Sequence, residues 1–175
     1  MGKKTYKVDL SVSGIKKLKK DLLDYKNKEL PQKINLFVNR LSELGLTVAQ
    51  TKVSESPLGK YVHVRVEASG LTRRIIATGE IKYSDGYAPF STILANEFGS
   101  GITYNPVSNP NADKFGFGVG TFPGQIHAFE DGWYFWDEKA QEWKYTQGVK
   151  ATMPMYEAEN AIRNNVTRIA KEVFR

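Results

Sequence analysis

The 175-residue sequence predicts a single α+β domain, with N-terminal helices and a C-terminal helix packed on a mostly antiparallel β-sheet. Three observations predict this class. Apolar residues recur every three or four positions near both ends of the chain, they alternate with polar residues in its middle, and a long segment rich in glycine, proline and asparagine follows. Hydrophobic residues make up 41% of the chain, which is ordinary for a soluble domain with a proper core.

The N-terminal part predicts a short strand and two helices. Residues 5–12 alternate polar and apolar side chains, and Ser13 is a suitable N-cap. Helical spacing then places Ile15, Leu18, Leu22 and Tyr25 on one stripe, and Ile34, Phe37, Leu41 and Leu44 on another. Pro31 is expected to break the first helix or open the second. Both stripes should pack on a shared core, and Gly45 should weaken the second helix near its end.

The middle of the chain predicts a β-hairpin. Residues 61–68 alternate cleanly, and after Ser69-Gly70 residues 73–78 form the second strand. Residues 90–98 fit either a strand or a short helix, and the pattern does not separate the two.

Aromatic residues predict a second hairpin near the C-terminus, with strands at 133–136 and 142–146. The last helix is predicted over residues 153–174, with Thr152 as its cap and Pro154 in its first turn. Between the predicted sheet and this hairpin lies a loop of about residues 99–124, which we expect to be mobile.

The positive charge is concentrated at the N-terminus. The chain has a net charge of +6, and residues 1–40, with eleven basic and four acidic residues, have a net charge of +7. Lys16, Lys17, Lys19 and Lys20 are therefore candidate DNA-facing residues. The alternative is that they form the solvated face of a helix.

The sequence offers little for catalysis, and we expect no catalytic, cofactor-binding or metal-binding residues. The absence of cysteine excludes disulfides and thiolate chemistry, and no apolar run approaches the roughly 20 residues of a membrane span. His63 alternates outward on a strand, and His127 is a loop histidine close to Glu130 and Asp131. The glycine-rich residues 116–121 lack the lysine of a phosphate-binding loop and a following helix.

The aromatic hairpin supplies the candidate interface residues Trp133, Tyr134, Trp136, Trp143 and Tyr145. Alternation should divide the aromatic side chains between a core face and an exposed face. An exposed aromatic face favours a protein interface, because tryptophan and tyrosine are enriched there. The alternative is a carbohydrate-binding or hydrolytic site using these rings and nearby carboxylates.

The order of these features resembles the tail-completion, or head–tail joining, proteins of long-tailed bacteriophages and prophages, especially those of Gram-positive hosts. The family has a Glu-Phe-Gly-Thr-Gly-Ile-like motif after its strands, and here Glu97, Phe98, Gly99, Ser100 and Gly101 precede Ile102. Serine replaces the usual threonine. A glycine-rich segment at 118–124, the aromatic hairpin and a stretch at 151–158 that opens the last helix follow in the family's order.

The resemblance covers residues 61–175 by motif and the N-terminal helices only by shape. It implies a structural subunit that joins a ring at the head-proximal end of the tail, without enzymatic activity or cofactor. Its implied partners are the tail tube or tail terminator protein, the head connector proteins and further copies of itself, with genomic DNA passing through the channel without sequence specificity and no membrane contact. The implied location is the virion, after assembly in the bacterial cytoplasm. A nucleic-acid-binding module using the lysine-rich helices is the main alternative.

Overall fold

The computed structural model describes residues 9–83, 89–100, 109–115, 132–137 and 140–175. A continuous helical run contains α1 (Val12–Asp24), a π-helical turn (Tyr25–Glu29) and α2 (Leu30–Ser54). The remaining strands and α-helices, in chain order, are β1 (Val62–Ser69), β2 (Thr72–Gly79), β3 (Ile81–Lys82), β4 (Phe90–Ser91), α3 (Thr92–Phe98), β5 (Trp133–Asp137), β6 (Glu142–Thr146) and α4 (Pro154–Phe174). Short 3-10 helices lie at Gly59–Tyr61 and Asp113–Phe115. The predicted α+β class is confirmed.

In the described part of the chain the strands form three separate antiparallel pairs, β1 with β2, β3 with β4 and β5 with β6, where the sequence predicted one sheet. In the first pair Val62, Val64 and Val66 point toward the helices and alternate with exposed residues, which confirms the predicted hairpin. The ambiguous segment at 90–98 contains both alternatives, since the two residues of β4 lead directly into α3.

The core lies between α2, α4 and the β1–β2 hairpin. The helices α2 and α4 run antiparallel, because the Phe37 ring lies 5.7 Å from the Phe174 ring while Gly45 lies beside Ile162. A Cβ atom on Gly45 would lie 2.5 Å from Ile75 Cδ1 and 2.6 Å from Ile162 Cδ1. Gly45 therefore permits close packing in the middle of α2 and does not mark its end, which comes at Ser54.

The predicted N-terminal strand at 5–12 is wrong where the structure describes it, and residues 5–8 lie outside the described residues. The helix α1 begins at Val12, and its N-cap is Ser11 where the sequence predicted Ser13. The Ser11 hydroxyl accepts a hydrogen bond from the Gly14 amide at 3.1 Å, and the Asp9 carboxylate accepts one from the Ser11 amide at 3.2 Å. Because of these bonds, a helix begins in a segment whose polar and apolar side chains alternate as they would in a strand.

Pro31 does not break the helical path. Proline lacks an amide hydrogen, and its ring crowds the carbonyl group four residues earlier. A π-helical turn, which is wider than an α-helical turn, ends at Glu29, just before Pro31. There the Leu30 amide donates to the Tyr25 carbonyl, five residues back. The run therefore stays continuous, and α1 extends past Phe174, the end of α4.

The expected packing of α1 on the shared core is consequently wrong. None of the α1 residues is buried, and Ile15 and Leu22 are 52% and 47% exposed. Across the described ranges, no helix has the length and apolar character required to cross a bilayer.

Candidate assembly interfaces

The predicted family motif forms the end of α3 and the turn that follows it. The Ser91 hydroxyl caps the helix by accepting from the Leu94 amide, and residues 95–100 are all buried. Gly99 follows the last helical residue with φ of +75°, a conformation that favours glycine, and its amide donates to the Ala95 carbonyl at 2.9 Å. Gly101 lies outside the described residues.

The Glu97 carboxylate binds the first turn of α4. Its Oε2 atom accepts from the Met155 amide at 2.9 Å, and its Oε1 atom accepts from the Tyr156 amide at 3.0 Å and from Asn109 Nδ2 at 2.7 Å. Helix N-termini have unsatisfied amides and a partial positive charge, so a carboxylate is well suited to this position. Glu97 acts as a capping group that comes from another helix.

Two backbone contacts extend this connection on either side of Glu97. The Asn96 carbonyl accepts from the amides of Thr152 and Met153, at 2.9 and 3.1 Å. Ser100 and Val149 exchange two backbone hydrogen bonds of 2.8 Å. We call this set of bonds from residues 96, 97 and 100 to residues 149–156 the α3–α4 clasp.

The clasp changes the predicted start of the last helix. The N-cap position belongs to Met153, which has a left-handed φ of +52° and makes no side-chain cap, and not to Thr152. The Glu97 carboxylate takes over the role of the cap. Capping by a residue 58 positions earlier leaves no local signal in the sequence, so sequence reasoning missed the contributions of Asn109, Met155 and Tyr156.

The electrostatics of Glu97 follow from its burial. The residue is only 8% exposed, and this desolvation raises the pKa of its carboxyl above the ordinary value. The hydrogen bonds from Met155, Tyr156 and Asn109 lower the pKa, and they offset the desolvation only in part. The three donors, on Met155, Tyr156 and Asn109, are themselves part of the packed structure, which supports a structural role for Glu97.

One part of the predicted long loop is anchored to this motif. Asn109 is 2% exposed, and its Oδ1 atom accepts from the Asn111 amide at 2.9 Å while its Nδ2 atom binds Glu97. The Phe98 ring lies 5.9 Å from the Phe115 ring and packs with Ala112. Residues 109–115 therefore belong to the packed structure, whereas residues 101–108 and 116–124 lie outside the described residues and their mobility stays a prediction.

The aromatic hairpin is confirmed as β5 and β6, with one unexpected property. Tyr134 pairs with Tyr145 and Trp136 with Trp143, so alternation places all four rings on the same face. Their ring centroids lie 5.3 and 5.6 Å apart in edge-to-face pairs. The side chains are 67%, 50%, 43% and 62% exposed, in the order just given. We call these four residues the aromatic ladder.

The expected division of the aromatic residues over two faces is confirmed, because Phe135 alternates onto the face opposite the aromatic ladder. The expectation that one of the two faces belongs to the core is wrong at Phe135, which is 43% exposed. The fifth candidate interface residue, Trp133, occupies the first position of β5 and pairs with Thr146. An exposed apolar face of this kind is typical of interaction surfaces.

The acidic residues of the hairpin lie on its other face. Asp137 pairs with Glu142 in the strand register, and Lys144 Nζ lies 2.7 Å from Asp137 Oδ2. This hydrogen bond to Asp137 raises the pKa of the Lys144 ammonium. Because Asp137 and Glu142 point away from the aromatic ladder, they do not flank a ligand bound there, and the carbohydrate-hydrolysing alternative gains no support from them.

The four candidate DNA-facing residues, Lys16, Lys17, Lys19 and Lys20, are all exposed on α1. Ile15, Leu18, Leu22 and Leu23 form an apolar strip on the same helix, and Lys19 and Lys26 line this strip together with them. We call these four apolar residues the α1 stripe. The helix thus presents both a cationic and an apolar surface.

The histidines do not form a site in the described part of the chain. His63 lies on the exposed side of β1, and His127 and the glycine-rich residues 116–121 lie outside the described residues. Within the ranges that the structure describes, no three histidine, aspartate or glutamate side chains are grouped to hold a metal ion.

Comparison of the chain with protein-family models, with curated proteins and with solved structures found no match.

Proposed function

We propose that this chain is a virion morphogenesis protein of a long-tailed bacteriophage or prophage. It acts as a tail-completion, or head–tail joining, subunit that forms a ring at the head-proximal end of the tail. The order of sequence motifs suggests the family. The structural observation that supports an assembly role is that the α1 stripe and the aromatic ladder both stay exposed on the folded subunit.

Two different exposed apolar surfaces suit a ring subunit. In a cyclic ring each copy contacts the next through two dissimilar patches, whereas an isologous dimer needs only one self-complementary patch. Isolated exposed apolar residues are ordinary in monomers, but four neighbouring aromatic side chains are a contiguous patch. The chain has a structural role in this proposal, with no enzymatic activity and no cofactor.

In this proposal the α3–α4 clasp holds the motif rigidly against the core. It joins the motif at residues 96–100 to the start of α4, the helix that packs along α2. The clasp thus links the start of the predicted loop at 99–124 to the core. Contacts that the loop makes with the tail tube, the tail terminator or the head connector would then be held by a rigid support.

Deleting the gene from a phage or inducible prophage that encodes this chain tests the proposal. We expect filled heads and separate tails by electron microscopy, and restoration of joined particles by the wild-type gene in trans. Complementation with Trp136→Ser/Trp143→Ser should fail, whereas Val166→Ser, at an exposed position of α4, should restore joining. Normal virions from the deletion strain would overturn the proposal.

The nucleic-acid-binding alternative is supported by the exposure of Lys16, Lys17, Lys19 and Lys20. It requires that the free protein bind duplex DNA with an affinity that falls steeply as salt rises. Replacing the four lysines with glutamine should abolish this binding, and in the phage it should disturb DNA retention or ejection. Absence of binding at low salt would remove the alternative and leave the joining role in place.

A further inference from the structure

The α1 stripe and the aromatic ladder are apolar surfaces of complementary chemistry, and each is left exposed on the subunit. We infer that α1 of one copy docks on the aromatic ladder of the next copy. This contact would be the repeating interface of the ring. The inference therefore rests on the proposed function and specifies how neighbouring subunits of the ring meet.

The α1 stripe is long enough to cover the aromatic ladder. Ile15 and Leu22 are seven residues apart on α1, a span of about 10 Å at 1.5 Å per residue. The two ring pairs of the ladder are two residues apart on each strand, a span of about 7 Å at 3.4 Å per residue. A helix lying along the strands would therefore place the stripe over both ring pairs.

The charges favour this pairing over contact between two α1 helices. Residues 12–29 contain six lysines and three acidic residues, a net charge of +3, so two such helices would repel each other. The aromatic ladder has no charged side chain, because Asp137, Glu142 and Lys144 lie on the other face of the hairpin. Contact between α1 and the ladder therefore avoids this repulsion.

The ring faces add a directional attraction. Lys19 and Lys26 line the same groove as the α1 stripe, so their side chains lie close to any surface that the stripe covers. Ammonium groups are attracted to the electron-rich faces of tryptophan and tyrosine within about 6 Å of the ring centre. The stripe would thus bury the apolar parts of the rings while the lysines bind their outer faces.

The position of α1 makes the contact available to another copy. The helix continues the axis of α2 beyond Phe174, away from the core that α2 and α4 form. None of its residues is buried in its own subunit. Docking therefore requires no unfolding of α1 and adds a heterologous contact that can be repeated around a ring.

Cysteine crosslinking tests the contact directly, because the natural chain has no cysteine. We would mix equal amounts of an affinity-tagged Leu22→Cys protein and an untagged Tyr134→Cys protein under mild oxidation. We expect a mixed disulfide dimer as the main product, since a disulfide requires Cα atoms within about 7 Å. The matched control replaces Tyr134→Cys with Val166→Cys, which is exposed on α4 and should give little mixed dimer.

Other disulfides would overturn the inference. A dominant homodimer of Leu22→Cys would show pairing of α1 with α1, and a dominant homodimer of Tyr134→Cys would show pairing of ladder with ladder. Equal yields with Val166→Cys would show random collision. Absence of any mixed dimer, with the chain at the concentration where it forms rings, would also reject the contact.

A second measurement separates loss of the contact from loss of folding and from failure of the proposed function. Leu18→Gln/Leu22→Gln should leave the melting temperature unchanged, because these side chains are not buried, yet should abolish rings by size-exclusion chromatography and electron microscopy. Rings that persist in this variant would reject the α1 contact while leaving the joining role intact. Normal virions from the gene deletion would reject the joining role itself, whatever the crosslinking result.

Discussion

The Glu97 carboxylate accepts a hydrogen bond of 3.0 Å from the backbone amide of Tyr156, which is 59 residues further along the chain. The same carboxylate binds the Met155 amide, so the first turn of α4 is completed by the end of α3. The helix that covers α2 therefore depends on the motif at residues 97–100 for its start. Four predictions test this dependence and the packing around it, and a fifth concerns the loop that leaves the motif.

Replacing Glu97 with alanine should lower the free energy of unfolding by about 2–4 kcal/mol, because it leaves the half-buried amides of Met155 and Tyr156 and the buried Asn109 side chain without their acceptor. Urea denaturation measures this loss. The control is Glu159→Ala, which removes an exposed carboxylate of the same helix and its ion pair with Arg163, and should cost less than about 1 kcal/mol. Equal losses would contradict the capping role.

Gly99→Val should impair assembly more than Glu97→Gln does. Glutamine keeps one acceptor oxygen for Tyr156 and Asn109 and turns its amide group toward Met155. Valine at Gly99 must adopt φ of +75° in a buried turn, a backbone strain of about 1–3 kcal/mol before any steric conflict. The yield of joined particles in complementation assays measures the difference, and the reverse order would count against a structural role for the motif.

The difference in the free energy of unfolding between the wild-type protein and Glu97→Gln should depend on pH. Burial raises the pKa of Glu97 in the folded protein above its unfolded value, so between those two values the folded state binds more protons. The contribution of Glu97 is therefore fully present below the unfolded value, near 4.5, and is lost as pH rises through the folded pKa. Urea denaturation of both proteins between pH 4 and pH 7 should show their difference in stability moving in favour of the glutamine variant. A difference that moves the other way would mean that the capping bonds outweigh burial.

Gly45→Val should lower the free energy of unfolding by about 2–3 kcal/mol, because its side chain would displace the Ile75 and Ile162 methyl groups from α2. Thermal and urea denaturation measure the effect. Thr47→Val introduces valine at an exposed position of the same helix and should change stability by less than about 1 kcal/mol. A neutral Gly45→Val would show that the contact between α2, β2 and α4 is loose.

Hydrogen exchange should divide the segment at 99–124 into parts. Amides of Asn111 and Ala112 should exchange slowly in the free protein, since both donate to Asn109. Residues 101–108 and 116–124 should gain protection only in the assembled ring. Equal protection of those residues in free and assembled protein would reject ordering on assembly.

Features of the fold that depend on a single element or a single turn could be predicted from the sequence. Alternation over residues 61–68 and in the aromatic segments predicted both larger hairpins, because side-chain direction in a strand follows position alone. Helical spacing predicted the helices, but it could not show that the α1 stripe stays uncovered, because that depends on whether the path turns at Pro31. The start of α4 could not be predicted either, since its cap comes from Glu97.

The continuous helical run from Val12 to Ser54 contains 43 residues, so it is about 64 Å long, roughly twice the diameter of a small domain. Of this run, α2 packs within the core, whereas α1 and the π-helical turn, 18 residues or about 27 Å, extend beyond it. An arm of that length can hold a neighbouring subunit at a distance. In the proposed ring, small rotations at the π-helical turn would change the spacing between subunits without releasing the contact. Such a ring would adjust the width of its channel to a head connector and a tail tube of different diameters.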